Sequence, residues 1–431
     1  MGFGQGVSGL NAAASNLDVI GNNIANANTV GYKQSSAQFA DVYAGTKIGL
    51  GTRVNSVVQS FNQGNIEATG RSLDVAITSG SGFFRLTNSD GSVYYSRNGQ
   101  FQRQDDGRLT NMQGLQVTGY PAGVTPGGGV QPQPLVISNA QMNPRATSTI
   151  TSQFQLDSRL SPPTNAFATT PANPAATPPT AAVMPTSDMF NYSTAMNVYD
   201  SLGNKQQVTA YFAKVANGAV TNPGPPPVTA PAVAGGTDWQ MYMVDTSGNV
   251  LSGSPVTLSF DSAGALKSPA AGATSITMPA GTGATTGLQA KIDFTGTTQY
   301  GSDNDVKQLS QNGYTSGSLL GYSVNADGSI TGNYSNEQTQ SLGTIALAAF
   351  GNVEGLKPEG DNVWSATNAS GQALLGVAGG SLGTLRSNAV EASNVDLSGQ
   401  LVNLIVAQRN YQANAQTIKA QDTIMQTLVN L

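Results

Sequence analysis

The residues best placed to do chemistry in this 431-residue chain are two carboxylate clusters and one glycine run. The clusters are Asp105-Asp106 and Asp303 with Asp305; the run is Gly127-Gly128-Gly129. Converging carboxylates can hold a metal ion or cleave a glycoside, but neither pair has calcium-loop spacing. Both sit beside Gly, Asn or Ser and read as turn residues. The glycine run lacks the lysine and hydroxyl of a phosphate loop. The chain has no His and no Cys, which removes histidine bases, His or Cys metal ligands, thiol nucleophiles and disulfides. No catalytic constellation emerges, and no cofactor or metal is expected. Charged residues make up 10% and the net charge is −5, so there is no electrostatic case for nucleic acid or an anionic membrane surface.

With enzyme chemistry set aside, the informative patterns are at the two ends. Between Gly6 and Lys33, Leu10, Leu17 and Ile24 recur every seven residues. Val7 and Ala14 lie three before the first two, and Ala13, Ile20 and Ala27 lie three after. This is one apolar stripe at helical period. The helix is intrinsically weak, because Asn11, Asn16, Asn22, Asn23, Asn26, Asn28 and Gly21 are poor helix formers. Its stripe therefore needs a partner. At the other end, steps of four and three give Leu397, Leu401, Leu404, Gln408, Tyr411, Ala415, Ile418, Asp422, Met425 and Val429. Ser393 with Asp396 reads as the helix start. A helix from Val395 to Leu431 would span about 55 Å. The termini are expected to pair while the middle loops out; two ordinary surface helices on a globular core are the alternative.

The terminal stretches SGLNAAASNLDVIGNNIANANTVGYK and EASNVDLSGQLVNLIVAQRNYQANAQTIKAQDTIMQTLVNL resemble the shared end signatures of bacterial flagellar axial proteins. The stretches FADVYAG, GRSLDVAITSGSGFFRL, YYSRNGQF, GNYSNEQTQ and GDNVWSAT narrow the likeness to the hook protein family. It covers roughly residues 1–145 and 303–431 and weakens between them. It implies a structural subunit that self-assembles into the hook, the curved joint between motor and filament. It further implies a homopolymer with tubular helical symmetry and four partners: the distal rod protein, the hook cap scaffold, the hook–filament junction protein and the flagellar type III export apparatus. The packing residues would be Val7, Leu10, Ala14, Leu17, Ile20, Ile24, Leu397, Leu401, Leu404, Tyr411, Ile418 and Met425. Phe39 and Tyr43 fit the Phe-x-x-x-hydrophobic pattern of early export substrates, although spacing alone reads them as anchors of a connector. No basic, apolar signal segment opens the chain and no run approaches the ~20 apolar residues of a membrane helix. Export to the extracellular flagellum without a cleaved signal, and without membrane insertion, is the expectation.

Between the ends the period changes to two. Leu73, Val75 and Ile77 alternate with Asp74, Ala76 and Thr78, as in a half-buried strand. Asn98-Gly99 predicts a tight hairpin between Tyr94-Tyr95 and Phe101. Asp106-Gly107 predicts another turn, and Asn325-Ala326-Asp327-Gly328 should join Tyr322 and Val324 to Ile330 and Tyr334. In the middle, Trp239, Met241 and Met243 alternate, then Val256, Leu258 and Phe260. The uncharged Pro/Ala/Thr/Gly stretches between Arg159 and Asp188, Lys214 and Asp238, and Lys267 and Lys291 read as long loops or mobile segments. The fold class is thus multidomain α+β: paired, coiled-coil-like terminal helices with two nested, mostly antiparallel β domains. The expected boundaries are a helix at 1–33, a connector at 34–70, an outer β domain at 71–147 and 303–357, an insert at 148–302, a return connector at 358–392 and a helix at 393–431. The rival functions are a distal rod or hook-associated protein, a secreted β-rich adhesin and an extracellular glycosidase.

Overall fold

The structure is a computed structural model that describes residues 2–42, 49–124, 129–215, 236–270, 274–281 and 283–429. It is mostly β, with one long helix near each end. The chain divides into two compact units. The first comprises Met1–Ala140, Leu319–Tyr334 and Gln338–Leu431; the second comprises Gln141–Ser318 and Ser335–Glu337. The insert is therefore wider than the expected 148–302. Pairing is the reason. Met142 donates to the Gly317 carbonyl at 2.8 Å, and Arg145 and Tyr314 exchange two backbone bonds of 2.9 Å, so both chain crossings are zipped into the second unit. Strand Asp305–Gln311 also pairs with Thr149–Asp157.

The first unit is built on a large sheet. Its main path runs Leu319–Val324, Ser329–Tyr334, Thr339–Ala349, Gln116–Pro121, Phe83–Thr87, Val93–Ser96, Val363–Ser365, Lys357–Gly360. The 325–328 turn forms as the sequence predicts, with Val324 opposite Ile330 and Gly328 at φ +83°. Asp106-Gly107 likewise turns Phe101–Arg103 onto Leu109–Asn111. The 75–78 strand differs from its expected alternation: Val75, Ala76 and Ile77 are all fully buried. Among the described strands it pairs only with Thr384–Ser387, and a short strand covered on both faces does not alternate. Asn98-Gly99 is no two-residue hairpin either, because Val93–Ser96 and Phe101–Arg103 take different partners. Gly99 is there for close approach: a Cβ would lie 1.8 Å from the Val75 carbonyl oxygen. Residues 358–392, the expected return connector, carry strands of their own. Their strands Val363–Ser365, Leu374–Val377, Thr384–Ser387 and Ala389–Glu391 all pair within the unit.

The second unit has two five-stranded sheets around one core. Phe154 of one sheet meets Phe212 of the other edge-on at 4.8 Å. Trp239, Leu258 and Phe260 are fully buried, as the alternation predicts. One departure from the antiparallel expectation is Thr149–Asp157, which pairs in parallel with Gln289–Asp293 and Thr298–Tyr300. The charge-free 160–187 stretch is not a free loop. Phe167 stacks on Tyr242 at 3.9 Å and tilts against Tyr211 at 5.6 Å, and Thr170 bridges Val183. Residues 216–235, within the second such stretch, lie outside the described residues.

Candidate assembly surface of the terminal helices

Helix α1 spans Gly2–Ala25. Strands β1, Ser35–Asp41, and β2, Thr52–Gln59, form an antiparallel hairpin, and helix α2 spans Leu397–Val429. The expected helix to residue 33 ends early. Asn26 turns its side chain back onto the Asn22 carbonyl at 3.0 Å, a local bond that competes with helix continuation. Gly31, at φ +73°, then takes the chain past Asn98, whose backbone nitrogen would lie 2.7 Å from any added Cβ. Helix α2 starts later than Ser393 suggests. Asp396 is its N-cap, accepting the Ser398 N–H at 3.1 Å and so satisfying one of the donors a helix start leaves open.

The helices lie side by side and antiparallel, with Asn23 against Gln400 at one end and Gly6 against Ile418 at the other. The line that α1 turns inward is Gly6, Gly9, Ala13, Asn16, Ile20 and Asn23. On α2 the inward positions include Gln400, Ala407 and Asn414. Apart from Ile20 and Ile418, which belong to the seams expected from the apolar periodicity and still face inward, both lines lie one residue before those seams, a rotation of about 100°. Glycine and alanine decide this. A Cβ on Gly9 would sit 2.6 Å from Asn414 Oδ1, so only small residues allow this approach. A groove of about 470 Å³ remains, lined by Gly9, Ala13, Asn16, Ala407 and Asn414 with Phe39 of β1 at its edge.

The rotation leaves most of the expected stripe outside. Val7, Leu10, Ala14, Leu17 and Ile24 are only half-buried, and Ile20 alone among the expected α1 residues is buried. Leu397 and Leu401 are each 46% exposed; Tyr411 and Met425 are exposed too. Leu404 and Ile418 are half-buried, Ile418 against Gly6. The periodicity also missed Val402, Ile405 and Val406, which are at least half exposed; Val402 and Ile405 extend the apolar surface on the side of α2 away from α1, while Val406 flanks the groove against α1. Phe39 is exposed on β1. Tyr43 lies outside the described residues, as does most of the Gly127-Gly128-Gly129 run.

The base of the pair holds buried charges that no motif or periodicity marks. Glu391 is fully buried and accepts from Lys33 Nζ at 2.6 Å, Gly64 N–H at 3.0 Å and Arg97 at 3.4 Å. Burial pushes the Lys33 ammonium below its ordinary range, against the pull of Glu391, and does the same to the Arg97 guanidinium. The available signal was scarcity: few charges occur in the matched end stretches, Lys33 and Glu391 are among them, and Arg97 is the one charge of YYSRNGQF. The carboxylate clusters behave as turns and ion pairs. Asp106 accepts the Arg108 N–H at 3.0 Å, Asp303 pairs with Arg159 at 2.6 Å, and Asp305 pairs with Lys307 at 2.8 Å. Among the described residues no three His, Cys, Asp or Glu side chains gather as a metal site, and no helix is long and apolar enough to cross a membrane.

Four family models match this architecture in chain order. They are Flagella basal body rod protein at residues 5–33, Flagellar hook protein FlgE/F/G D1 domain at 76–153, Flagellar basal body protein FlaE D2 domain at 165–314, and Flagellar basal body rod FlgEFG protein C-terminal at 386–431. The chain is 48% identical to the flagellar hook protein FlgE of Escherichia coli strain K12, with 100% of both chains covered. It is 46% identical to that of Salmonella typhimurium, again over 100% of both. The fold is similar to the crystal structure of the Helicobacter pylori flagellar hook protein FlgE2, with TM-score 0.52 and 14% identity, covering 76% of this chain and 100% of that one. With full-length identity of this order and four family models matched in chain order, the chain belongs to the flagellar hook protein family, the structural subunits of the bacterial flagellar hook.

Proposed function

We propose that the subunit polymerises through its two terminal helices, which act as a coiled-coil-like pair and pack against those of neighbouring copies into an inner tube. The observation that carries this reading is the apolar face of α2, where Leu397, Leu401, Val402, Ile405 and Val406 stand at least 46% exposed. A helix this exposed on one side while packed on the other has surface to bury against further copies. The half-buried residues Val7, Leu10, Ala14, Leu17 and Ile24 supply the matching edge on α1. Uncharged Asn and Gln suit such a tube, because a repeated charge would meet its own copy around the assembly.

The β units then lie outward and slide against neighbours while the helices hold, which lets a curved tube turn and carry torque. Delivery by the flagellar type III apparatus, through an N-terminal region that includes Phe39, and contacts with the distal rod protein, the cap scaffold and the hook–filament junction protein belong to the same reading. Electron microscopy of the purified protein after assembly tests it. Short curved tubes support it; straight rods or persistent monomers overturn it.

A further inference from the structure

Three chain passages meet at one buried carboxylate. They are the link from α1 into β1, the exit from β2, and the entry into α2. Lys33 lies on the first, Gly64 with Asn62 on the second and Glu391 on the third. Lys33 Nζ reaches Glu391 at 2.6 Å and the Asn62 carbonyl at 2.8 Å. The Gly64 N–H reaches the same carboxylate at 3.0 Å, and the Gly31 N–H bonds the Glu391 carbonyl at 2.8 Å. The sheet contributes Arg97, which contacts Glu391 at 3.4 Å, bonds the Gly80 carbonyl at 2.8 Å and sits 5.0 Å above the Phe83 ring. Two cations thus share one anion, and Lys33 and Glu391 are both fully buried. Among the described residues Arg97 Nε has no acceptor.

We propose that Glu391 is a latch that joins the helix-and-hairpin module to the sheet of its own subunit, a charged joint beside the Gln59–Trp364 bond and the Phe61 contacts with Phe83 and Trp364. The charge count makes the device asymmetric. Removing Lys33 leaves a neutral Arg97–Glu391 pair. Removing the Glu391 charge leaves two buried cations facing each other without a counterion, the costliest arrangement. Removing both leaves one cation. A cluster that merely fills space would respond to the number of atoms changed and not to the charge left behind.

The test is hydrogen exchange on the full-length monomer, comparing Glu391→Gln, Lys33→Met and the double variant. Glu391→Gln should raise exchange in peptides covering 31–34, 60–65 and 389–396 by roughly a hundredfold, with the 149–157 and 237–245 strands of the second unit unchanged. Lys33→Met should change it least. The double variant should be better protected than Glu391→Gln alone, since adding the second substitution removes an unpaired charge. A double variant as loose as Glu391→Gln or looser overturns the latch, as does a Lys33→Met protein that loosens as much as Glu391→Gln. If Glu391→Gln cannot be recovered folded, recovery of the double variant supports the latch and its loss overturns it.

Discussion

Asn23 and Gln400, 377 positions apart, are joined by a side-chain hydrogen bond of 3.3 Å inside the helix pair. Asn23 is almost fully buried, and its amide also binds both backbone groups of Ser35 and accepts from Tyr32 Oη at 3.1 Å. One residue thus holds α1, the hairpin and α2 in register, as a polar residue in a helix interface often does. Asn23→Ala strands the Ser35 N–H and should cost the module about 1–3 kcal/mol. Hydrogen exchange of the hairpin reads this; unchanged protection at 35–41 would show that the register is held elsewhere.

Two glycines of α1 should respond in opposite directions. Gly21 is exposed with nothing within 4 Å of an added Cβ, so Gly21→Ala should stabilise the helix by up to about 1 kcal/mol. Gly9→Val would drive its side chain into Asn414, whose Oδ1 lies 2.6 Å from even a Cβ, and should push α2 away. Helicity measured by circular dichroism should rise for the first and fall for the second.

The insert should be removable. Its two ends are already adjacent, bridged between Met142 and Gly317, so a short Gly-Ser linker from Ala140 to Leu319 closes the gap. The shortened protein should keep the first unit folded and still assemble, into straighter tubes. A folded variant that forms no tubes at any concentration would show that the second unit builds the wall.

Acid should weaken the second unit through Asp200. Its carboxylate accepts from the backbone of Leu202, Asn204 and Gly281 and from the Asn204 amide at 2.9–3.0 Å. Burial works against ionisation, but these donors hold the group below its ordinary value of 3.8. A depressed folded pKa stabilises fully above about pH 3.8 and is lost as pH falls through the lower folded value. The melting temperature of Asp200→Asn should therefore fall less steeply than wild type below that pH; identical slopes would remove Asp200 from the acid response.

Much of this was legible in the residues. Long periodic ends, Trp239-x-Met241-x-Met243 and the 325–328 turn follow from period and turn chemistry. The helix seam was not, because periodicity marks apolar positions, whereas glycine and alanine choose the closest approach, and here the two differ by one residue. Asn98-Gly99 misled for a related reason: glycine serves close packing against Val75 as readily as a tight turn. The anchoring of the 160–187 stretch was invisible because Phe167 is held by Tyr211 and Tyr242 on strands distant in sequence. Phe39 was found only through family likeness, since one exposed aromatic on a strand edge carries no signal of its own.

The central claim is that the exposed face of α2 belongs to assembly and not to the fold of one subunit. Leu401→Lys tests it most directly. Leu401 is 46% exposed, so a lysine can stay hydrated in the monomer, while in a tube it would be desolvated in every copy at once. Burying a leucine is worth on the order of 1.5–3 kcal/mol per subunit, which the variant also loses. A melting curve and a sedimentation run on the same preparation should show an unchanged melting temperature and monomer only. Tubes of normal length, or a melting temperature lowered by several degrees, would contradict the account.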